Sequence, residues 1–347
     1  MIADVLHITV SDHTLIHMLT LGILGFLLST VLTPVYTTIA YKQEWWKRQR
    51  TADMGGVAAP VYQKLHAAKH KRNVPTMAGL IFVVAVAVIT LAANLSRSET
   101  WLPLAGLLAA GAVGLLDDFM NIRGSSKIAG MRVKTKLGLY SLITLAAGWW
   151  FYAKLGVTHV YVPGFNQIYL GVFIIALFWL VVVATANAVN MTDGLDGLAG
   201  GLLVTSFIAY AIICAIEGQY ALAAFCLTIV GALMSYTWFN IYPARFFMGD
   251  IGAFALGTAL GVVAMLTNTI YVLPIIGAVY VMEAGSVVIN RTSRKLRNGK
   301  KVFLSSPIHH HFEAIGWPET KVTMRFWVLG QIASVLGLIL FLVGKQS

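Results

Sequence analysis

Asp117 and Asp118 stand side by side in GLLDDFM, Asp193 and Asp196 frame a turn in NAVNMTDGLDG, and Asp250 follows a glycine in FFMGDIG. Each stretch abuts a long apolar run, and a carboxylate close to hydrocarbon is costly unless it is paired, hydrated or bound to a cation. Hard oxygen donors of this kind suit Mg²⁺, which keeps several waters and bridges a few carboxylates to substrate phosphates. The chemistry that fits is the joining of two phosphate groups, with donor and acceptor held in line and the charge of a departing pyrophosphate neutralised. The plain alternative is that each aspartate caps a helix or marks where an apolar run ends.

Two phosphates repel each other, so such a site also needs positive charge. Arg123, Lys127, Arg132, Lys134 and Lys136 follow the aspartate pair, and Lys69, Lys71 and Arg72 precede Pro75 and Thr76. Each can reach phosphate or merely enforce membrane topology. Asn187 and Asn190, one helical turn apart, share a face; they can bind metal water or phosphate, or bond backbone carbonyls at a helix end. Gly194 and Gly197 allow a tight loop that brings backbone N–H groups to a ligand. The run SSPIHHHFEAIGWPE holds His309, His310 and His311. Neighbouring side chains point in different directions on a regular backbone, which argues against one shared zinc ion. A loop meeting phosphate or peptide substrate is one reading, a structural role the other. Cys214 and Cys226 fall in apolar runs and read as small core residues, not as a disulfide or metal pair.

The elements that must position these groups are membrane helices. The 347 residues are 58% hydrophobic and 11% charged, where a soluble protein carries charge on roughly a quarter of its residues. Mean hydropathy is +0.77. In such a chain the net charge of +11 belongs to basic cytoplasmic loops and not to nucleic-acid binding. Anionic bilayer lipid and phosphate-bearing substrates are its natural partners.

A spanning helix needs roughly 20 apolar residues, which predicts about ten: 14–39, 75–93, 101–116, 137–153, 168–186, 198–216, 219–239, 251–267, 270–290 and 325–343. Pro274 and Gly285 predict a kink or break in the ninth. Ten spans put both termini on one side, and 22 of the 25 Lys and Arg fall toward the other. The basic side is cytoplasmic, so both termini are expected outside. All five aspartates then lie at the cytoplasmic edge. Residues 1–14 lack a basic n-region and a small-residue cleavage site, so the first run is read as a retained span. The expected fold is an all-α polytopic integral membrane protein, with residues 1–347 forming a single transmembrane catalytic domain.

Taken in order, PTMAG at 75–79, the pair at 117–118, NAVNMTDGLDGLAGG at 187–201, FMGD at 247–250 and SSPIHHHFEAIGWPETKVTMRFW at 305–327 resemble a known family. It is that of the phospho-N-acetylmuramoyl-pentapeptide transferases, within the polyprenyl-phosphate N-acetylhexosamine-1-phosphate transferase superfamily. The aspartate motifs are shared across the superfamily, while the HHHFE and GWPE run resembles the muramoyl-pentapeptide branch in particular. The resemblance implies a ten-span, Mg²⁺-dependent enzyme of the bacterial plasma membrane, with its active site facing the cytoplasm, and it suggests a homodimer. It implies transfer of phospho-N-acetylmuramoyl-pentapeptide from UDP-N-acetylmuramoyl-pentapeptide to undecaprenyl phosphate. The products are lipid I and UMP, in the first membrane step of peptidoglycan synthesis.

Carried over by position, Asp250 is the implied metal ligand, and Asp117 and Asp118 are the implied catalytic pair, with Asp117 the base for the lipid phosphate. Asp193, Gly194, Leu195, Asp196, Asn240 and Phe247 match positions that line a uridine pocket. Lys71 and Thr76 match polar positions near the nucleoside and phosphates, and the triple histidine resembles the family's loop near the site. The chain also departs from the pattern. The family's lysine three residues after the second aspartate is Asn121 here, with Arg123 close by to supply charge. GTPTMGG reads NVPTMAG, Asn290 stands for a glutamine, and a family lysine aligns equally with Lys134 and Lys136.

Two rival readings differ in what they require. A transferase of N-acetylglucosamine phosphate would share the aspartates but lack the HHHFE run. A nucleotide-sugar or lipid transporter would carry polar groups near mid-bilayer on broken helices, whereas only Glu283 lies well inside a span. Two chemical routes stay open: direct attack by the lipid phosphate, or prior attack by an aspartate through a phosphoryl-enzyme.

Overall fold

The computed structural model describes residues 10–46, 73–124 and 130–346. Helix follows the apolar runs. α1 (Asp12–Lys42), α2 (Gly79–Ala93), α3 (Trp101–Arg123) and α4 (Val133–Ala153) lead into an antiparallel hairpin. Its strands are β1 (His159–Val162) and β2 (Asn166–Tyr169), with Val160 opposite Ile168. A 3-10 turn at Gly171–Phe173 opens α5 (Ile174–Thr192), followed by α6 (Leu198–Ile216), α7 (Tyr220–Asn240) and α8 (Gly249–Leu266). A short turn of helix, Leu273–Ile276, precedes α9 (Ala278–Leu296), and α10 (Ile308–Ala314) and α11 (Glu319–Gln346) complete the described chain. Among the described residues, seven helices are long and apolar enough to cross a bilayer: α1, α3, α5 with its leading turn, α6, α7, α8 and α11. α2 is a shorter apolar helix. The fold is that of an α-helical polytopic membrane protein.

Several helices outrun the apolar stretches that predict them. α3 continues beyond residue 116 through Asp117, Asp118 and Asn121. α4 starts at Val133 and so takes in Lys134 and Lys136. α5 carries Asn187 and Asn190, and α9 runs on through Arg291 and Arg294. The reason is physical: backbone hydrogen bonding need not end where hydrocarbon ends, and polar side chains can finish a helix among headgroups. Other boundaries shrink. Residues 168 and 169, expected in a span, belong to β2. Residues 75–78, also expected in a span, precede the helix and pair with the 247–248 backbone: Phe247 N–H donates to Pro75 O at 2.7 Å, and Ala78 N–H donates to Phe247 O at 3.0 Å. The break expected from Pro274 and Gly285 falls between them, at Gly277. Pro274 lies in the first turn of its short helix, where a missing N–H goes unnoticed. Gly285 lies inside continuous helix.

α8 is the hub, buried along almost its whole length. Lipid offers helices little hydrophobic reason to associate, so close backbone approach through small residues supplies the packing. A methyl added at Gly79 of α2 would lie 2.4 Å from Gly252 N, and one at Gly114 of α3 would lie 2.4 Å from Asp250 O. One at Gly257 would lie 2.7 Å from Cα of Ala186 on α5. Three helices are thereby pressed against α8, two of them at its first turns. That crossing is where the polar residues gather.

Candidate active site

Asp117 and Asp118 are neighbours on one helix, about 100° apart around its axis, and they serve different partners. Asp117 Oδ1 accepts the Met131 N–H at 2.5 Å, and its Oδ2 accepts from Lys136 Nζ at 3.0 Å and Asn121 Nδ2 at 3.3 Å. Lys136 Nζ also donates to Asp250 Oδ2. Asp250 Oδ1 in turn accepts from Asn190 Nδ2 at 3.2 Å. Side chains of α3, α4, α5 and α8 thus converge around one ammonium. The Lys136 and Asp250 side chains keep 16% and 17% exposure, so a ligand can reach them. The Lys136 ammonium also lies 4.4 Å from the centre of the Phe254 ring.

Asp118 is fully buried, and its Oδ2 accepts the Ile251 N–H at 3.1 Å, tying α3 to the first turn of α8. Gly249 turns the chain into that helix with φ of +75°, where a side chain would also strike Asp118 Oδ2. Thr76 is buried beside this turn; its N–H donates to Trp45 O at 2.7 Å, and its carbonyl accepts from Tyr36 OH at 2.6 Å.

The second cluster surrounds the loop after α5. Asp193 ends that helix. A methyl on Gly194 would lie 2.3 Å from His309 Nε2, so the imidazole sits directly against the glycine. Leu195 is buried. Asp196 braces the loop: its N–H donates to Glu319 Oε1 at 2.7 Å, and its Oδ2 accepts the Ala244 N–H at 3.0 Å. Asn240 does the same from α7, accepting the Gly197 N–H at 3.0 Å and donating to Phe246 O at 2.8 Å. Both residues, expected beside a nucleotide, also bond the protein's own backbone, and the Asp196 N–H bonds Glu319. Phe247 is half-buried and held through its backbone to residues 75 and 78.

The three histidines diverge, as expected for consecutive residues. His309 is fully buried, with Nδ1 2.9 Å from Glu283 Oε2. His310 Nδ1 lies 2.7 Å from Glu313 Oε2, and His311 Nδ1 accepts the Leu304 N–H at 3.2 Å. Asn290 clasps the loop that precedes them, accepting the Val302 and Phe303 N–H groups at 3.1 and 2.9 Å and donating to Phe303 O at 3.1 Å.

The structure therefore brings together Asp117, Asp118, Asn190 and Asp250 at one place, and Gly194 with His309 at another. Asn187 stands apart, its amide donating to Val183 O of its own helix at 2.8 Å. Arg123 does not supply charge at the aspartates, because its guanidinium lies over the Phe119 ring at 4.2 Å. Lys136 supplies it. Sequence reasoning named Lys136 only among several basic residues and left Glu283 without a role. Their one signal was position, a lysine soon after the aspartate pair and an acid deep in a span. Lys71, Lys69, Arg72 and Lys127 lie outside the described residues.

Among the described residues, no three His, Cys, Asp or Glu side chains form a cage for a metal ion. Asp117 and Asp250 nevertheless form a hard-oxygen pair that already shares one cation, the Lys136 ammonium. That donor set fits a divalent ion whose remaining ligands are water and substrate phosphate.

A membrane-embedded bundle with carboxylates and an ammonium gathered at one edge is suited to group transfer between charged substrates, and the comparisons with known proteins agree on that class. Residues 100–268 match the model of glycosyl transferase family 4. Over 314 residues the chain is 36% identical to the phospho-N-acetylmuramoyl-pentapeptide-transferase of Chloroflexus aurantiacus, spanning 86% of this chain and 85% of that protein. The chain belongs to the phospho-N-acetylmuramoyl-pentapeptide transferase family.

Proposed function

We propose that this chain transfers phospho-N-acetylmuramoyl-pentapeptide from UDP-N-acetylmuramoyl-pentapeptide to undecaprenyl phosphate, giving lipid I and UMP. The observation that carries the reading is the meeting of Asp117 and Asp250 on Lys136 at a membrane edge, in a chain 36% identical to a relative bearing that activity in its name. The site faces the cytoplasm of a bacterial plasma membrane. α4 and α9 complete ten spans, and both termini lie outside.

In this reading Asp117 accepts the proton of the lipid phosphate. The freed phosphate oxygen attacks the phosphorus adjoining the sugar, the bond between the two donor phosphates breaks, and its electron pair leaves on UMP. Lys136 fixes the Asp117 and Asp250 carboxylates and offsets phosphate charge as the two substrates approach. Asp118 keeps α3 locked on the first turn of α8, so that Asp117 and Asp250 stay in register. Asp250 and Asp117 would hold Mg²⁺, which would neutralise the charge developing on the departing UMP. The half-exposed rim formed by Asp193, Gly194 and Phe247 would take the nucleoside, with His309 beneath Gly194 as its floor, and Lys71 and Thr76 would serve the phosphates.

Purified chain given UDP-N-acetylmuramoyl-pentapeptide should release UMP only when undecaprenyl phosphate and a divalent cation are both present. Release without the lipid would overturn the direct route, and so would isotope exchange between UMP and donor in its absence. Preference for UDP-N-acetylglucosamine as donor would overturn the substrate.

A further inference from the structure

A cavity of about 250 Å³ opens where α1, α7 and the 241–248 turn meet. It is lined by Thr33, Pro34, Thr37, Thr38, Phe239 and Arg245. None of these belongs to the carboxylate centre or to the histidine loop. The cavity lies at the same membrane edge as Asp250, since the 241–248 turn leads directly into α8.

Its lining has a definite chemical character. Arg245 is the only basic residue between Asn240 and Gly249. Its guanidinium stands 5.6 Å from the centre of the Phe239 ring and makes no ion pair among the described residues. The turn that carries it is fixed, because the Arg245 N–H donates to Phe239 O at 2.9 Å and Tyr41 OH lies 3.5 Å from Arg245 O. The hydroxyls opposite have donated their protons to α1 itself: Thr33 to Ser29 O, Thr37 to Thr33 O and Thr38 to Pro34 O. Each hydroxyl oxygen can then act only as an acceptor. One cation beside a row of acceptors suits a phosphate that carries hydroxyl donors.

The flanks suit a lipid. Val31 and Val35 on α1, with Met234 and Trp238 on α7, present exposed apolar surface on the two helices that line the cavity, and Trp238 is of the type that settles at the membrane interface. An arginine at a membrane edge can snorkel to any headgroup. What sets this one apart is the cavity behind it and the acceptors across from it. We propose that this cavity is a binding site for an anionic phospholipid of the inner leaflet with a hydroxyl-bearing headgroup, phosphatidylglycerol being the simplest, whose phosphate pairs with Arg245 and whose glycerol hydroxyls donate to the threonine oxygens. Such a lipid would brace α1 and the 241–248 turn without touching the reacting groups.

Native mass spectrometry of the full chain, titrated with phosphatidylglycerol or phosphatidylcholine, tests this. Wild type should retain one phosphatidylglycerol preferentially over phosphatidylcholine, and Arg245→Gln should lower that retention by ~5-fold, the scale of one basic residue near anionic headgroups. Thr37→Phe, which fills the cavity and leaves the charge in place, should lower it as well, so a folding defect in one variant does not hide the answer. Equal retention by wild type and both variants would overturn the site. Displacement of the bound phosphatidylglycerol by an equimolar amount of undecaprenyl phosphate would overturn the choice of occupant, assigning the cavity to the acceptor substrate.

Discussion

Among the described residues, the Asp117–Lys136–Asp250 cluster and the Glu283–His309 pair are built for opposite ends. At the α8 crossing, Asp117 and Asp250 share Lys136, and part of the ammonium and of Asp250 stays open to a ligand. Below Gly194, Glu283 and His309 meet with no exposure on either side chain. Removing charges from water is expensive, and a pair that stays sealed is held for geometry, whereas a reachable pair can exchange its partner for a substrate or an ion. Under the proposed function, turnover belongs to the first cluster and the shape of the loop at Gly194 to the second.

The largest effects should come from the open pair. Asp117→Asn, Asp250→Asn and Lys136→Met are each expected to lower UMP release at least ~100-fold with folding intact, as judged by circular dichroism and elution volume. Near-normal turnover in Lys136→Met would place the essential charge elsewhere and break the comparison. Gly114→Val comes next. Its added carbons would push α3 away from the Asp250 carbonyl, and a displacement of even ~1 Å near reacting groups costs up to about 100-fold in rate. Activity and the Lys136 contacts should fail together.

The sealed pair should fail differently. Glu283→Ala leaves His309 buried without its carboxylate and should cost about 3 kcal/mol of stability, read as a lower thermal midpoint. In protein that remains folded, KM for the UDP donor should rise more than kcat falls. A variant that lost kcat alone would move Glu283 into the chemistry. The smallest effect is expected at Arg123→Gln, since that guanidinium packs on Phe119 and not on the aspartates. Turnover should stay within about threefold of wild type, as for an exposed position away from a site.

Much of this architecture was legible in the residues, and the parts that were not share a cause. Apolar runs announce membrane helices well, because lipid imposes one requirement on every residue of a span. They announce helix ends poorly. Asp117, Lys136, Asn190 and Arg291 all lie on helix beyond the apolar run, where hydropathy has already fallen but backbone bonding continues. The hairpin had a readable signal, β-branched and aromatic residues on either side of Pro163-Gly164 in HVYVPGFNQIY, masked by the apolar stretch that follows. The grouping of the aspartates at one edge followed from counting spans. Their partners did not, because which face of α4 turns toward α3, and therefore whether Lys134 or Lys136 arrives, is set by packing around Phe254 and Tyr140. For the same reason the bonds by which Asp196 and Asn240 brace the loop could not be read from their motif.

The central claim is that Asp117 and Asp250 form one cation site at the first turn of α8. Electron paramagnetic resonance of Mn²⁺ added to purified protein with the UDP donor reads that site without requiring turnover. Wild type should bind one Mn²⁺ that Mg²⁺ competes away, and Asp250→Asn and Asp117→Asn should each lose it while Glu283→Gln retains it. Mn²⁺ bound as tightly by both aspartate variants as by wild type would contradict the account.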